Sequence, residues 1–216
     1  LLYGVALLYG TTGSTSLLVL RSGFDPSSPL AVIGIALVLV GFAFKISAVP
    51  FHKWTPDVYE GAPSSVTAFM SVTVKTAAVA ALLRVLGLGL GPLEEMLVNV
   101  LWVLAVLTMV VGNLMAVIQD NVKRLLAYSS IGHAGYILVG IVAGGVEGWS
   151  AVVFYLIAYL FMNLGAFGVV VALANRGEDC ERVDSFAGLA RTRPGLAALM
   201  TLFMVALTGI PPTVGF

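Results

Sequence analysis

Six apolar runs, each close to the length that crosses a lipid bilayer, constrain this chain more than any other feature. They lie near residues 30–51, 64–87, 96–118, 123–144, 149–174 and 194–216. About 20 helical residues cross a hydrocarbon core of roughly 30 Å, and a backbone in hydrocarbon must bond within its own segment. The expected class is therefore an all-α, polytopic transmembrane helix bundle. Leu1 to Tyr9 reads as the tail of a preceding helix, and 10–28, with Gly, Ser, Thr and Pro26, as a loop or short interfacial piece. The runs are separated by WTPDVYEGAP, GLGLGPLEE, QDN, GGVEG and NRGEDCERVDSFAGLARTR. The chain opens without Met and stops inside an apolar run, so 1–216 reads as the central part of one longer membrane domain.

Composition narrows the function classes. Apolar residues make up 59% of positions and charged residues 10%, with mean hydropathy +1.03, values far from those of a soluble domain. A net charge of zero with no basic cluster gives no support to nucleic-acid binding. Cys180 is the sole cysteine, which leaves no intrachain disulfide and no thiolate metal cage, and the two histidines recur at no heme or metal spacing.

Against that background Lys45 and Lys75 stand out. A charge midway through a bilayer costs roughly 2.5–3.5 kcal/mol on insertion scales, so such residues face a protein interior or a wet cavity and mark ion paths. Pro50, five positions after Lys45, lacks an amide hydrogen and is expected to break the first helix against the Ile46 carbonyl. Freed carbonyls at membrane depth need a lined cavity, which puts Lys45, Ser47 and His52 beside hydrated backbone. Lys45 and His52 would share a helix face if the helix survived the proline, and together they suit a proton relay. Two plainer readings stay open: Lys45 snorkelling to the interface, and His52 serving with Lys53 and Trp54 as an interfacial anchor.

Lys75 lies near the middle of its run, in one helical stripe with Ser64, Thr67 and Ser71. On the later runs, Asn113, Ser129, Ser130, His133, Tyr136, Tyr155, Tyr159 and Asn163 supply further polar positions. The tyrosines and Asn163 either bond helices together or line a water wire. His133, flanked by Gly132 and Gly135, is either a bonded core histidine or a relay member. Thr208 to Pro212 form a second proline break, so two broken helices are expected, a pattern known from transporters built from repeats.

Loops alternate sides of the membrane. Arg21 and Arg84 fall on one side, against Lys53, Lys123, Arg124, Arg176, Arg182, Arg191 and Arg193 on the other. The positive-inside rule makes the second side, with residues 175–193, cytoplasmic.

Lys45 with ISAVPFHKWTPDVYEGAPSSVTAF, then Lys75, QDNVKRLLAYSSIGHAGY and LTGIPPTVGF, resemble the antiporter-like subunit N family of proton-pumping NADH-quinone oxidoreductase, respiratory complex I. The likeness runs nearly the length of the chain, and WTPDVYEGAP favours that family over subunits L and M and the related cation/proton antiporter subunits. The resemblance implies a proton-translocating subunit of a bacterial inner-membrane translocase. It implies no cofactor in this chain, with NADH, FMN, iron–sulfur clusters and quinone bound by other subunits, and the other membrane subunits of complex I, the lipid bilayer and protons as partners. It assigns Lys45 to the lysine on the first broken helix, which pairs with a glutamate that would precede Leu1. Lys75 takes the middle of a hydrated polar axis, and His52 a helping role in proton transfer. The family's terminal charged residue on the second broken helix would follow Phe216. A rival is a secondary antiporter in which Asp57 or Glu60 collects a cation, although no visible run carries a carboxylate at mid-depth. A third reading is a membrane scaffold in which both lysines merely bond helix-break carbonyls.

Overall fold

In the computed structural model, residues 1–90, 94–174 and 181–215 are described; Arg176, Cys180 and residues 91–93 of the second break lie outside them. Eleven named α-helical segments account for most of the described chain, and its only β pairing is an isolated bridge between Asn121 and Arg182. Five helices are long and apolar enough to cross a membrane: α3 (Pro29–Ile46), the continuous segment Ser64–Gly89, α7 (Glu94–Val117), α8 (Val122–Ala143) and α9 (Gly145–Ala174).

Three expectations need correction. The stretch read as a loop or short interfacial piece holds α1 (Leu2–Thr12) running on past Tyr9 and a second helix, α2 (Leu17–Gly23), set 58° to the first. Gly13, at φ 68°, closes α1 by donating to the Tyr9 carbonyl, and the apolar LLVLRSG stretch begins a new helix beyond it. The first full span stops at Ile46 rather than at Pro50. Ser47 adopts a left-handed conformation, φ 65°, and Ala48 donates to Ala43, so the C-cap ends the helix four residues ahead of the proline. Lys45 and His52 therefore do not share a helix face. The last run yields α11 (Pro194–Leu207), 14 residues, which again stops four residues before Pro211 and is shorter than a span. Both proline segments end helices as expected, each through the turn that precedes it.

A short helix, α4 (Trp54–Gly61), links α3 to the next span. That span is built from α5 (Ser64–Phe69), a π-helical turn over Met70–Val74, α6 (Lys75–Arg84) and a second π turn over Val85–Gly89. Single π turns inside α-helices concentrate at functional sites, and the first of these ends directly at Lys75. The 3₁₀ turn Val183–Phe186 and α10 (Leu189–Thr192) precede α11.

Among the membrane-length helices α8 is the most enclosed, packed along α7 and against α4 and α9. Its approach to α7 is close enough that a Cβ on Gly112 would lie 2.6 Å from the Gly132 amide nitrogen. Two large apolar clusters fill the bundle. One gathers Ile35, Val79, Leu82, Leu101, Ile137, Leu138, Val152 and Leu156; the other gathers Val72, Leu126, Ala127, Met162, Ala166 and Phe167. Along α8 the buried polar residues Ser130 and His133 fall between residues of the two clusters, as Lys75 does along its own span, whereas Asn163 on α9 lies among residues of the second cluster. The bundle is thus layered, with polar groups near mid-depth and apolar packing on either side.

Replacing Gly112 by Val is expected to force α7 and α8 apart at a backbone-to-backbone contact, at a cost of about 1–3 kcal/mol. The thermal unfolding midpoint of the purified protein in detergent should fall, and an unchanged midpoint would show that the helices can separate freely there.

Candidate functional site

Lys75 is 2% exposed. Removing an ammonium from water costs several kcal/mol even after relaxation, so its surroundings must return much of that. Two groups of one residue do so: Lys75 Nζ donates to both the carbonyl and the hydroxyl oxygen of Ser130 on α8. The Tyr159 ring of α9 faces the same nitrogen at 5.7 Å from its centroid, a cation–π contact. Of the stripe read from the sequence, Ser64 is half-buried and the other three residues turn inward. Thr67, Ser71 and Lys75 are all buried; Thr67 Oγ1 donates to the Tyr59 carbonyl at 3.1 Å, and Asn163 Nδ2 donates to Ser71 Oγ at 2.6 Å.

Beyond Ser130 the polar layer continues along α8 and α9. His133, 4% exposed, has its Nδ1 hydrogen-bonded to the Tyr155 hydroxyl, and its ring lies 5.1 Å from that of Tyr159 and 5.6 Å from that of Tyr136. The interhelical bonding read for Asn163 and Tyr155 is present. Tyr159 Oη and Asn163 Oδ1 are buried without a hydrogen-bond partner, so the same stripe keeps unused polar capacity at mid-depth.

Lys45 is exposed in the last turn of α3, where its charge complements the helix dipole. It meets Lys75 across a cavity of about 180 Å³ lined by both lysines with Ser47, Trp54, Tyr59, Met70 and Val74, large enough for several water molecules. The turn beside it is held by side chains: Trp54 Nε1 donates to the Phe44 carbonyl at 3.0 Å and its ring stacks on Phe44, while Thr55 Oγ1 donates to Ser47 Oγ at 2.7 Å. Val49 N donates to Thr108 Oγ1 of α7 at 3.0 Å.

His52 lies on that turn but does not line the cavity. It is half-buried, and its Nδ1 has no partner. Burial, and after it the neighbouring Lys53 ammonium, hold its imidazole below the ordinary value of 6.5, so the ring is neutral at pH 7. The structure thus brings Lys45 and Lys75 together and leaves His52 to one side.

Sequence reasoning did not find Ser130 as the acceptor for Lys75, nor Tyr59 as part of the cavity wall. Ser130 was visible only as one polar residue in a run, because its partner lies 55 positions away. Asp57 and Glu60, the candidate cation ligands, are both bonded to Arg124 Nη1, at 2.8 and 2.7 Å. Among the described residues no cluster of three or more His, Cys, Asp or Glu is arranged to hold a metal ion.

A multi-helix membrane bundle with charged and polar groups concentrated at mid-depth defines the class: a membrane protein built like an ion-translocating subunit. Residues 1–216 match the family described as NADH:quinone oxidoreductase/Mrp antiporter, TM, and the chain belongs to that family. NADH-quinone oxidoreductase subunit N of Trichlorobacter lovleyi is 52% identical over 221 residues, covering 100% of this chain and 45% of the relative. The chain thus spans less than half the length of this curated relative. Respiratory complex I from Thermus thermophilus with bound aureothin matches with TM-score 0.81 and 41% identity, over 100% of this chain and 46% of the matched one. The Mrp complex from Dietzia sp. DQ12-45-1b matches with TM-score 0.88 and 30% identity, over 98% and 39%.

Ser130→Ala keeps the carbonyl acceptor and deletes the hydroxyl. Loss of a hydrogen bond to a buried charge is expected to destabilise by about 1.5–3 kcal/mol. A thermal unfolding series comparing Ser130→Ala with Ser130→Thr, which retains a hydroxyl, checks this; equal midpoints for both and for wild type would contradict the role assigned to Ser130.

Proposed function

We propose that this chain is the central, proton-translocating part of a subunit N of NADH-quinone oxidoreductase, acting in a bacterial inner membrane with the other membrane subunits of complex I. The observation that carries the reading is a lysine held at mid-depth between two apolar layers and facing a second lysine across a small cavity. Identity of 52% to a subunit N, against 30% to the matched Mrp chain, favours the quinone-linked complex as its setting.

In this reading Lys45 and Lys75 carry protons in turn, with water in the shared cavity between them. Ser130 holds the Lys75 ammonium, and His133 with Tyr155 continues the path along the polar layer. His52, neutral at pH 7, takes or gives a proton on the side bearing Lys53, Lys123, Arg124 and residues 175–193, which is cytoplasmic by the basic-residue count. The chain itself performs no redox step. Protons move when quinone reduction in other subunits changes the field along the row of charged groups. Moving one charge against 100 mV requires about 2.3 kcal/mol, equivalent to a swing in proton affinity of roughly two pKa units. Desolvation and a neighbouring carboxylate together supply changes of that size.

A cation/proton antiporter subunit is the second reading, favoured by the fold similarity to the Mrp complex. Against it, the carboxylates nearest the broken helix are occupied by Arg124. The full-length assembly in sealed liposomes, driven by NADH, tests both. Lys75→Met is expected to abolish proton uptake while the complex assembles, and Lys75→Arg to retain part of it. Normal pumping by Lys75→Met would leave Lys75 a structural residue, and failure of NADH to energise the wild type would move the antiporter reading ahead.

A further inference from the structure

The first turn of α8 contradicts its own local electrostatics. Lys123 and Arg124 are the second and third residues after the N-cap Asn121, in the first turn, where the helix dipole disfavours cations. Asn121 caps the turn in the ordinary way, its side-chain oxygen accepting from the amides of Lys123 and Arg124 at 2.9 and 3.1 Å, so the helix could have begun here without either charge. A local conflict of this kind calls for a gain made elsewhere.

For Arg124 that gain lies in α4, whereas Lys123 pairs with Glu181 at 3.2 Å. Arg124 Nη1 reaches Asp57 and Glu60, three residues apart on one face of that short helix, while its Nε donates to Gln119 at 3.3 Å. Asn121 Nδ2 donates to Glu60 at 3.4 Å, and Lys123, 4% exposed, places Nζ 3.4 Å from the Ala62 carbonyl at the C-terminal end of the same helix. Three residues of one helix start thus hold the C-terminal half of α4. An isolated surface ion pair contributes little, but a charge forked onto two carboxylates inside a network is a stronger restraint.

What α4 carries gives the clamp its meaning. Trp54 and Tyr59 on α4 form part of the wall of the cavity between Lys45 and Lys75. Ser130, which accepts from Lys75, stands on α8 six positions beyond Arg124 (124 to 130), about 9 Å along the axis. We propose that Arg124 is a positioning residue: by tying α4 to the start of α8 it fixes the wall of the lysine cavity relative to the acceptor of Lys75. The proposal rests on the proton-transfer reading given above. Arg124 does not touch the transferred proton and acts through the placement of Tyr59, Trp54 and Ser130.

The test uses the assembled, full-length complex in sealed liposomes, measuring proton uptake at matched NADH oxidation in wild type, Arg124→Ala, Arg124→Lys, the paired exchange Arg124→Glu with Glu60→Arg, and Lys75→Met. Backbone hydrogen exchange of residues 54–62 is followed in the same preparations. Arg124→Ala is expected to retain NADH oxidation, lose protection over 54–62, and lower proton uptake roughly tenfold, the scale on which a displacement of about 1 Å acts on positioned chemistry. Arg124→Lys, which is shorter and lacks the Nε donor to Gln119, should fall between alanine and wild type, and the exchange pair should recover part of the loss. Wild-type uptake in Arg124→Ala overturns the clamp, as does a lysine variant or exchange pair no better than alanine. If Arg124→Ala does not assemble, the lysine variant and the exchange pair decide in the same way. Normal uptake in Lys75→Met would sink the underlying reading, whereas loss there with normal uptake in Arg124→Ala would sink the clamp alone.

Discussion

The rest of the bundle is arranged around one constraint, a lysine ammonium almost wholly buried. Its charge has to be stabilised by fixed dipoles, and both oxygens that accept from it belong to Ser130. That fixes α6 against α8 at one height and one rotation. The Tyr159 ring then brings α9 into the same layer, and Asn163 to Ser71 repeats the tie one step further along. Apolar packing above and below, gathered in two clusters, supplies most of the driving force for association with the helices already so placed.

Much of this was legible in the sequence, and the reasons for the remainder are physical. Long apolar runs identified five spans to within a few residues, because hydropathy over about 20 positions reflects an environment rather than a local preference. The stripe from Thr67 to Lys75 was readable because helical periodicity survives its passage through a π turn. The helix end at Ser47 was not, since a proline marks where a helix cannot continue but not where a left-handed cap ends it sooner. Nor was α2, whose seven residues resembled a loop through their flanking Gly, Ser and Thr. The partner of Lys75 could not be read at all, because serine occurs on many helices and only tertiary contact selects one.

Arg124 illustrates a different kind of legibility. Two basic residues in the first turn after a helix cap oppose the usual charge preference, and that conflict can be seen in DNVKR before any fold is known. Its resolution needed the structure, which places Asp57 and Glu60 opposite. The same pairing changes the meaning of those acids. Isolated in a loop they resembled cation ligands, whereas opposite a guanidinium they are structural counter-ions.

The layering of the bundle carries an electrical consequence. Lys75, Ser130 and His133 fall between two apolar clusters that act as insulation. A charge moving along such a layer travels parallel to the membrane and crosses little of the potential drop, so it does almost no work against the voltage. Under the proposed proton-transfer role, lateral transfer would be nearly silent electrically, and the membrane potential would act mainly where a proton enters or leaves the layer through one of the slabs.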